Sequence, residues 1–257
     1  MEKYAVITGA SSGIGVEFAK RLSERAYRLI LVARRQERLE KLAEKLKTPC
    51  EIITADLGKE EECYRLYREV KEKDVEVLIN NAGFGDCGTF LEGALEKELN
   101  MIQVNVKAVH ILTKLFLRKM QKKNRGYVLN VASSAGLLPA GPYMATYYAT
   151  KAYVTSFTQA VAQELKEKGS SVYVGCLCPG PVDTEFNRVA NVEFALKGIR
   201  PGYCAAYALK QMYARKVVIV PTFQMKAAIT CGRFLPRRML VRIASHQQKK
   251  KIVEEKF

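Results

Sequence analysis

The sequence predicts an α/β fold, a doubly wound parallel sheet of about seven strands in a single domain. Three observations lead there. Short apolar strand patterns alternate with helical ones along the chain, with no internal repeat and no long linker. A glycine-rich turn joins the first strand to the first helix. The residues with distinctive chemistry fall at strand ends, where ligands of such sheets sit.

Tyr4–Thr8 is a short apolar strand. Gly9, Gly13 and Gly15 follow, with Ser11, Ser12 and Ile14 among them, and an amphipathic helix starts over Ile14–Leu22. A glycine turn entering a helix presents free backbone N–H groups and the positive end of the helix dipole, which attract a phosphate. Its place after the first strand is the context a dinucleotide site needs. Gly9, Ser11 and Gly13 also satisfy Gly-x-Ser-x-Gly, the turn of serine hydrolases. His110 falls in a helix and His246 in a basic tail, neither placed for that chemistry, so the hydrolase reading loses.

Arg28–Ala33 is the second strand and runs into Arg34 and Arg35. A dinucleotide held at Gly9–Gly15 brings its adenosine ribose to this strand end, where an acid binds a 2′-hydroxyl and arginine suits a 2′-phosphate. Two arginines and no acid favour NADP(H) over NAD(H); the plainer alternative is that they open the charged helix Gln36–Lys47. Cys50–Ala55, the third strand, ends at Asp56 and Leu57 before a charged helix over Lys59–Lys73. Val75–Ile79, the fourth, ends in Asn80, Asn81, Ala82 and Gly83. A long helix over Leu95–Lys122 carries Asn105 among apolar residues. A buried asparagine needs partners: it holds a backbone carbonyl or a water, or is simply a satisfied structural amide.

Gly126–Ala132 is the fifth strand, leading through Ser133, Ser134 and a Gly/Pro loop to a helix over Tyr147–Lys168. Tyr147 and Lys151 stand four residues apart, which sets a phenol and an ammonium on one helix face. A neighbouring cation favours phenolate, so the expectation is a lowered Tyr147 pKa and a usable general acid/base. Ser133 offers a hydroxyl to the same substrate oxygen; an ordinary aromatic and a solvated lysine are the plain alternative. Ser171–Leu177 is the sixth strand, followed by Pro179, Gly180, Pro181, Val182, Asp183 and Thr184. Residues 185–200 are expected to form a flap that closes over a ligand, apolar through Phe186, Val189, Val192, Phe194, Ala195 and Leu196. Val217–Val220 is the last strand. The expected division is a catalytic domain over 1–221 and a basic amphipathic extension over 222–257 packed on the same domain.

A chain of 257 residues with 48% hydrophobic content can bury a substantial core. It has no run of eighteen apolar residues, and Met1 leads directly into a strand, so neither a membrane span nor a signal peptide is expected. Seven cysteines without a Cys-x-x-Cys pair, and two histidines, point to a reduced cytoplasmic chain with no metal site. The net charge of +16 is uneven: from Lys197 onward fourteen Lys/Arg face only Glu254 and Glu255. Met225–Ala244 reads as two short basic amphipathic helices. Weak peripheral contact with an anionic membrane, a cover over the substrate pocket, and packing with a solvated basic face are three roles for them. No zinc-finger or RNP-like pattern supports sequence-specific nucleic-acid binding.

Together these residues resemble the short-chain dehydrogenase/reductase family, of Rossmann-type fold, over Tyr4 to about Thr184. Thr8 through Gly15 is similar to the family's cofactor motif, Thr-Gly-x3-Gly-x-Gly, and Asn80 through Gly83 to its fourth-strand motif. Asp56 matches the acid near the adenine, and Pro179, Gly180 and Thr184 the nicotinamide-side loop. Asn105, Ser133, Tyr147 and Lys151 match the catalytic tetrad. Ser134 stays open as an alternative to Ser133, since the loop beyond is one residue longer than usual; the Lys151 spacing selects Tyr147 over Tyr148. The resemblance implies that Gly9, Ser11, Ser12, Gly13, Ile14, Gly15, Arg34, Arg35, Asp56, Leu57, Asn81, Ala82 and Gly83 hold the cofactor, with Tyr147, Lys151, Pro179, Gly180, Val182 and Thr184. It further implies that the 4-pro-S hydride of NADPH goes to a carbonyl held by Ser133 and Tyr147. Tyr147 gives the proton, Lys151 lowers its pKa and binds the nicotinamide ribose, and Asn105 holds a water that refills the proton. The substrate implied is a hydrophobic ketone or alcohol, steroid-like or acyl-chain, and the assembly a homodimer or homotetramer paired through the helices Leu95–Lys122 and Tyr147–Lys168. An NADP(H)-binding regulatory or membrane-peripheral protein without turnover is the alternative; an intact tetrad argues against it.

Overall fold

The computed structural model describes residues 2–190 and 198–249. The chain runs β1 (Tyr4–Thr8), α1 (Gly13–Glu24), β2 (Arg28–Ala33), α2 (Gln36–Ala43), β3 (Cys50–Thr54), α3 (Glu60–Val70), β4 (Val75–Asn80), α4 (Leu95–Ile102) and α5 (Val109–Lys122). It continues β5 (Tyr127–Val131), α6 (Ala145–Glu167), β6 (Tyr173–Leu177), α7 (Phe186–Val189), α8 (Pro201–Tyr213), β7 (Val218–Ile219), α9 (Phe223–Gly232) and α10 (Arg237–Lys249). The seven strands form one sheet in the order β3-β2-β1-β4-β5-β6-β7, every pair parallel.

Parallel strands joined by helical crossovers are covered on both faces, and alternate side chains along each strand show it. Ala5 and Ile7 of β1, Leu29 and Leu31 of β2, and Val77 and Ile79 of β4 pack under α1, α2 and α8, against Phe18, Leu22, Leu39 and Met212. Val6, Ile30, Val32, Leu78 and Val128 point the other way, onto α3 and α5 through Leu66, Val70, Leu112 and Phe116. Each of these fully buried large side chains contributes about 1.5–3 kcal/mol by leaving water.

The strand order reverses beside β1: β2 and β3 extend the sheet one way, and β4 returns to the other side. A crevice opens where the chain leaves β1 and β4 in opposite directions, at Gly9 and Asn81.

Three departures from the sequence reading have physical causes. The helix expected over Gln36–Lys47 stops at Ala43, because the Ser23 hydroxyl accepts from the N–H groups of Lys47 and Thr48 (2.9 and 3.0 Å) and turns the chain into β3. The helix expected over Leu95–Lys122 is interrupted by a π turn, Gln103–Ala108, around Asn105. Helix α8 was not anticipated, although Pro201 in its first turn and the buried series Cys204, Ala205, Ala208, Leu209 and Met212 mark it. Of the expected flap, Phe186–Val189 is a short helix, while 191–197 lie outside the described residues, as do 250–257 of the expected extension.

A buried polar chain crosses the sheet behind the crevice. Asn80 Nδ2 donates to Thr113 Oγ1 (3.0 Å) and Asn130 Oδ1 (2.9 Å), and Asn130 Nδ2 donates to Thr158 Oγ1 (3.0 Å). It ties β4 and β5 to α5 and α6. Asn130→Leu removes the acceptor that Asn80 Nδ2 and the Thr113 hydroxyl (3.2 Å) share and the donor to Thr158 Oγ1, and is expected to cost about 3 kcal/mol of unfolding free energy, read as a lower urea midpoint at unchanged m-value.

Candidate active site

The crevice is shaped by hydrogen bonds between the ends of β1 and β4. Thr8 Oγ1 accepts from the backbone N–H groups of Asn81 and Ala82, each at 3.0 Å. Asn81 Nδ2 donates back to the carbonyls of Thr8 and Gly9 (3.0 and 3.1 Å). This brings the glycine turn so close to the β4 loop that a Cβ on Gly9, at φ +64°, would lie 2.8 Å from Ala82 Cα. A Cβ on Gly15 would lie 2.3 Å from the Gly9 carbonyl oxygen. Helix α1 starts here without a side-chain cap, so its first-turn N–H groups face the crevice.

From that turn a cleft of about 420 Å³ extends across the carboxyl ends of the strands. Its walls bring together Gly9, Ser11, Ser12, Gly13, Ile14, Arg34, Arg35, Asp56, Leu57, Asn81, Ala82, Gly83, Ser133, Tyr147, Lys151, Pro179, Gly180, Val182 and Thr184. Gly15 and Asn105 sit behind this lining. Asp56 shapes its own turn by accepting from the Gly58 N–H (3.1 Å), and Thr184 packs beside Gly13. A narrow-waisted glycine turn, uncapped helix donors and an arginine-bearing strand end fit a phosphate-bearing dinucleotide.

Asn105 is fully buried, and both donors of its amide are taken by protein groups, Phe84 O (2.8 Å) and Thr150 Oγ1 (3.2 Å). Its Oδ1 accepts from the Phe84 N–H (3.1 Å). The π turn therefore coincides with a side chain that clamps the loop after β4 to α6. Of the uses open to it, the backbone-holding one is what the geometry displays.

Helix α6 presents Tyr147 and Lys151 to the cleft as their spacing predicts. Tyr147 is 8% exposed and Lys151 5%, with Lys151 Nζ 5.9 Å from the Tyr147 ring centroid and donating to Val131 O at 2.9 Å. Burial pushes the Tyr147 phenol up to about 12, opposed by a hydrogen bond with the Ser133 hydroxyl. Burial draws Lys151 down to about 8. The expected lowering of the Tyr147 pKa is thus corrected: desolvation penalises both charged forms and outweighs the opposing effect of Ser133 on the phenol. Tyr147 holds its proton at neutral pH. The Ser133 hydroxyl faces Tyr147 and accepts from Ala135 N (3.1 Å), while Ser134 commits its N–H to Pro179 O (2.8 Å).

Sequence reasoning missed four residues here. Arg38 donates to both carboxylate oxygens of Glu185 (2.8 and 2.9 Å), and Arg35 reaches Glu185 (3.2 Å) and Ser11 Oγ (3.2 Å). These guanidiniums hold the Glu185 carboxyl below its usual range. Arg38 lies one helical turn beyond Arg34 and Arg35, a signal that was available. Tyr148 and Gln248 line the far end of the cleft, and nothing local to α10 marks Gln248. His110, by contrast, pairs with Tyr153 (2.7 Å) and lies against Phe157, and it is not in the cleft wall that holds Ser11, so no hydrolase constellation forms with it among the described residues.

The family model for short chain dehydrogenase matches residues 3–193. The chain belongs to the short-chain dehydrogenase/reductase family. It is an NAD(P)-dependent oxidoreductase of the kind that acts on CH–OH or carbonyl groups. An uncharacterized oxidoreductase of Staphylococcus epidermidis is 34% identical over 185 residues, covering 71% of this chain and 79% of that one. The very-long-chain 3-oxoacyl-CoA reductase of Anas platyrhynchos is 32% identical over 200 residues, covering 74% of this chain and 63% of that one. Among solved structures, a short-chain dehydrogenase from Sphingobium yanoikuyae in complex with NADPH has a TM-score of 0.82 at 28% identity, covering 90% of this chain and 91% of that one. A Burkholderia phymatum member in complex with NAD shares the fold, with a TM-score of 0.82 at 23% identity over 96% of each chain.

The Lys151 shift has a sign that can be checked. Its folded pKa lies below the unfolded value of 10.5, so the stability from the neutral amine is present above 10.5 and lost as pH falls to about 8. Lys151→Met removes that dependence. The unfolding free energy of the native protein is therefore expected to gain on that of Lys151→Met by about 1.4 kcal/mol per pH unit at most between these limits, measured by denaturant titration across the range.

Proposed function

We propose that this short-chain dehydrogenase/reductase is an NADPH-dependent reductase of a hydrophobic ketone, with a steroid-like or acyl-chain body. The observation that carries the reading is the buried Tyr147 hydroxyl, protonated at neutral pH beside Ser133 in the wall of a cleft that also carries Leu138, Met144, Phe186 and Met225. Ser133 and Tyr147 would hold the carbonyl oxygen, and Tyr147 would give its proton to the alkoxide as charge develops there. A bound nicotinamide dinucleotide supplies the hydride. Lys151 would hold the nicotinamide ribose, with its charge available up to about pH 8. Asn105 would act at one remove, by fixing the Phe84 backbone and Thr150 so that α6 keeps its register. The apolar residues Leu138, Met144, Phe186, Val189 and Met225 line the substrate end, which supports a hydrophobic substrate. The 3-oxoacyl-CoA reductase relative supports an acyl-chain one.

The preference for NADPH is supported by Arg35 and Arg38, whose guanidiniums meet at Glu185 beside Ser11. They are the side chains that would hold a 2′-phosphate, with Arg34 exposed on the same wall. The NADPH-bound relative supports the same preference. A homodimer or homotetramer is supported by the exposed face of α5 and α6, where His110, Tyr153 and Phe157 cluster. Weak contact with an anionic membrane is supported by α9 and α10, where Phe223 and Phe234 are 83% and 85% exposed and residues 198–249 contain no acid. A cytoplasmic location is supported by Cys50, Cys63, Cys176, Cys178, Cys204 and Cys231, which are free thiols.

NADPH oxidation across ketones, steroid ketones and long-chain 3-oxoacyl compounds tests the reading. Tyr147→Phe is expected to lower kcat by at least about a hundredfold on whichever substrate turns over; turnover unchanged by it overturns the mechanism. Arg35→Ala with Arg38→Ala is expected to raise the KM for NADPH by about ten- to a hundredfold through lost charge-assisted hydrogen bonds, while the KM for NADH stays put. An equal rise for both cofactors would show that the pair only shapes the loop.

A further inference from the structure

Helix α10 belongs to the tail that sequence reading left between a membrane, a pocket cover and a solvated face. Its last turns reach the cleft: Gln247 and Gln248 line it with Met225 of α9 and Tyr148 of α6. Gln248 is 2% exposed. Its Nε2 donates to the Tyr148 hydroxyl oxygen, while its Oε1 is buried without a hydrogen-bond partner. Native proteins rarely leave a buried amide oxygen unpaired, and one that borders a ligand cleft has an obvious candidate for its partner. Tyr148 adds to this. Burial raises its pKa, so it keeps a proton at neutral pH, and its oxygen is already engaged by Gln248. The two side chains thus offer one acceptor and one donor in a lining that is apolar at Leu138, Met144, Phe186 and Met225 and also holds the amides of Gln247 and Asn187, the latter with its own unpartnered Oδ1.

We propose that Gln248 and Tyr148 form a polar subsite that binds a second functional group of the substrate, a hydroxyl or an amide N–H remote from the reacting carbonyl. The inference rests on the reading of the cleft as a ketone-reductase site and deepens it: the substrate has an apolar body with a distal hydrogen-bonding group. The ring centroids of Tyr147 and Tyr148 are 6.4 Å apart, so the two rings meet different parts of one bound molecule. A substrate lacking it leaves Oε1 unpaired, which is the situation in which a site discriminates most strongly. Gln248 is accordingly a specificity-determining residue, reached through the tail rather than through the family's matched segment, which ends at residue 193.

A homologous series of 2-alkanones, each paired with its ω-hydroxy derivative, tests this with NADPH oxidation as the readout. At one chain length the native enzyme is expected to prefer the hydroxy ketone by about tenfold or more in kcat/KM. Gln248→Leu is expected to abolish the preference, the KM for the hydroxy ketone rising about tenfold relative to that for the parent ketone. Gln248→Met, of similar length, gives the same contrast should leucine disturb α10. No preference at any length, or an equal loss on both members of a pair, overturns the subsite while leaving the reductase intact. Should no ketone turn over, the reductase reading fails by itself. Calorimetric binding to the NADP-loaded protein then decides the subsite: tighter binding of the hydroxy ketone that vanishes in Gln248→Leu upholds it, and equal or absent binding of both overturns it.

Discussion

The Thr8 hydroxyl, accepting from two consecutive N–H groups beyond β4, is the contact on which the rest of the site depends. Parallel strands β1 and β4 are neighbours in the sheet but are separated by 66 residues of chain, and their ends must diverge to feed helices on opposite faces. Left unpaired, those ends would expose backbone polar groups in a half-buried crevice. Thr8 and Asn81 satisfy them reciprocally and hold the crevice at a width that only glycine at Gly9 and Gly15 tolerates. The uncapped N-terminus of α1 is then left as the donor surface.

The same economy governs the chemical end. Asn105 clamps the loop after β4 to α6, and α6 carries Tyr147 and Lys151. A helix that merely displayed a tyrosine and a lysine to water would leave both with ordinary titration. Burying them raises the phenol and lowers the amine, which keeps one protonated at neutral pH and brings the other near neutrality. Burial, more than proximity of charge, sets the chemistry. The buried chain from Asn80 to Thr158 holds β4, β5, α5 and α6 in the arrangement that keeps the pair dry.

The basic tail divides its roles by face. Ala244 and Gln248 turn inward, and Gln248 meets the cleft, whereas Met239, Arg242 and Ile243 of the same helix face outward. Its charge therefore says little about its part in the pocket, and a reading based on charge alone attends to the wrong face.

By itself the sequence determined the strands, the order of the motifs and the pair Tyr147 and Lys151, because these rest on local periodicity, glycine conformations and helical spacing. It also pointed to Arg34 and Arg35, since a strand end followed by charge is a local pattern. Only the tertiary structure decided the direction of the Tyr147 shift, because desolvation depends on what packs over α6. It alone decided the partners of Asn105, the meeting of Arg35 and Arg38 at Glu185, and the arrival of Gln248 beside Tyr148, one hundred positions earlier in the chain. Those contacts join segments with no shared local signal, and they exist only because the sheet's topology delivers both to the same end.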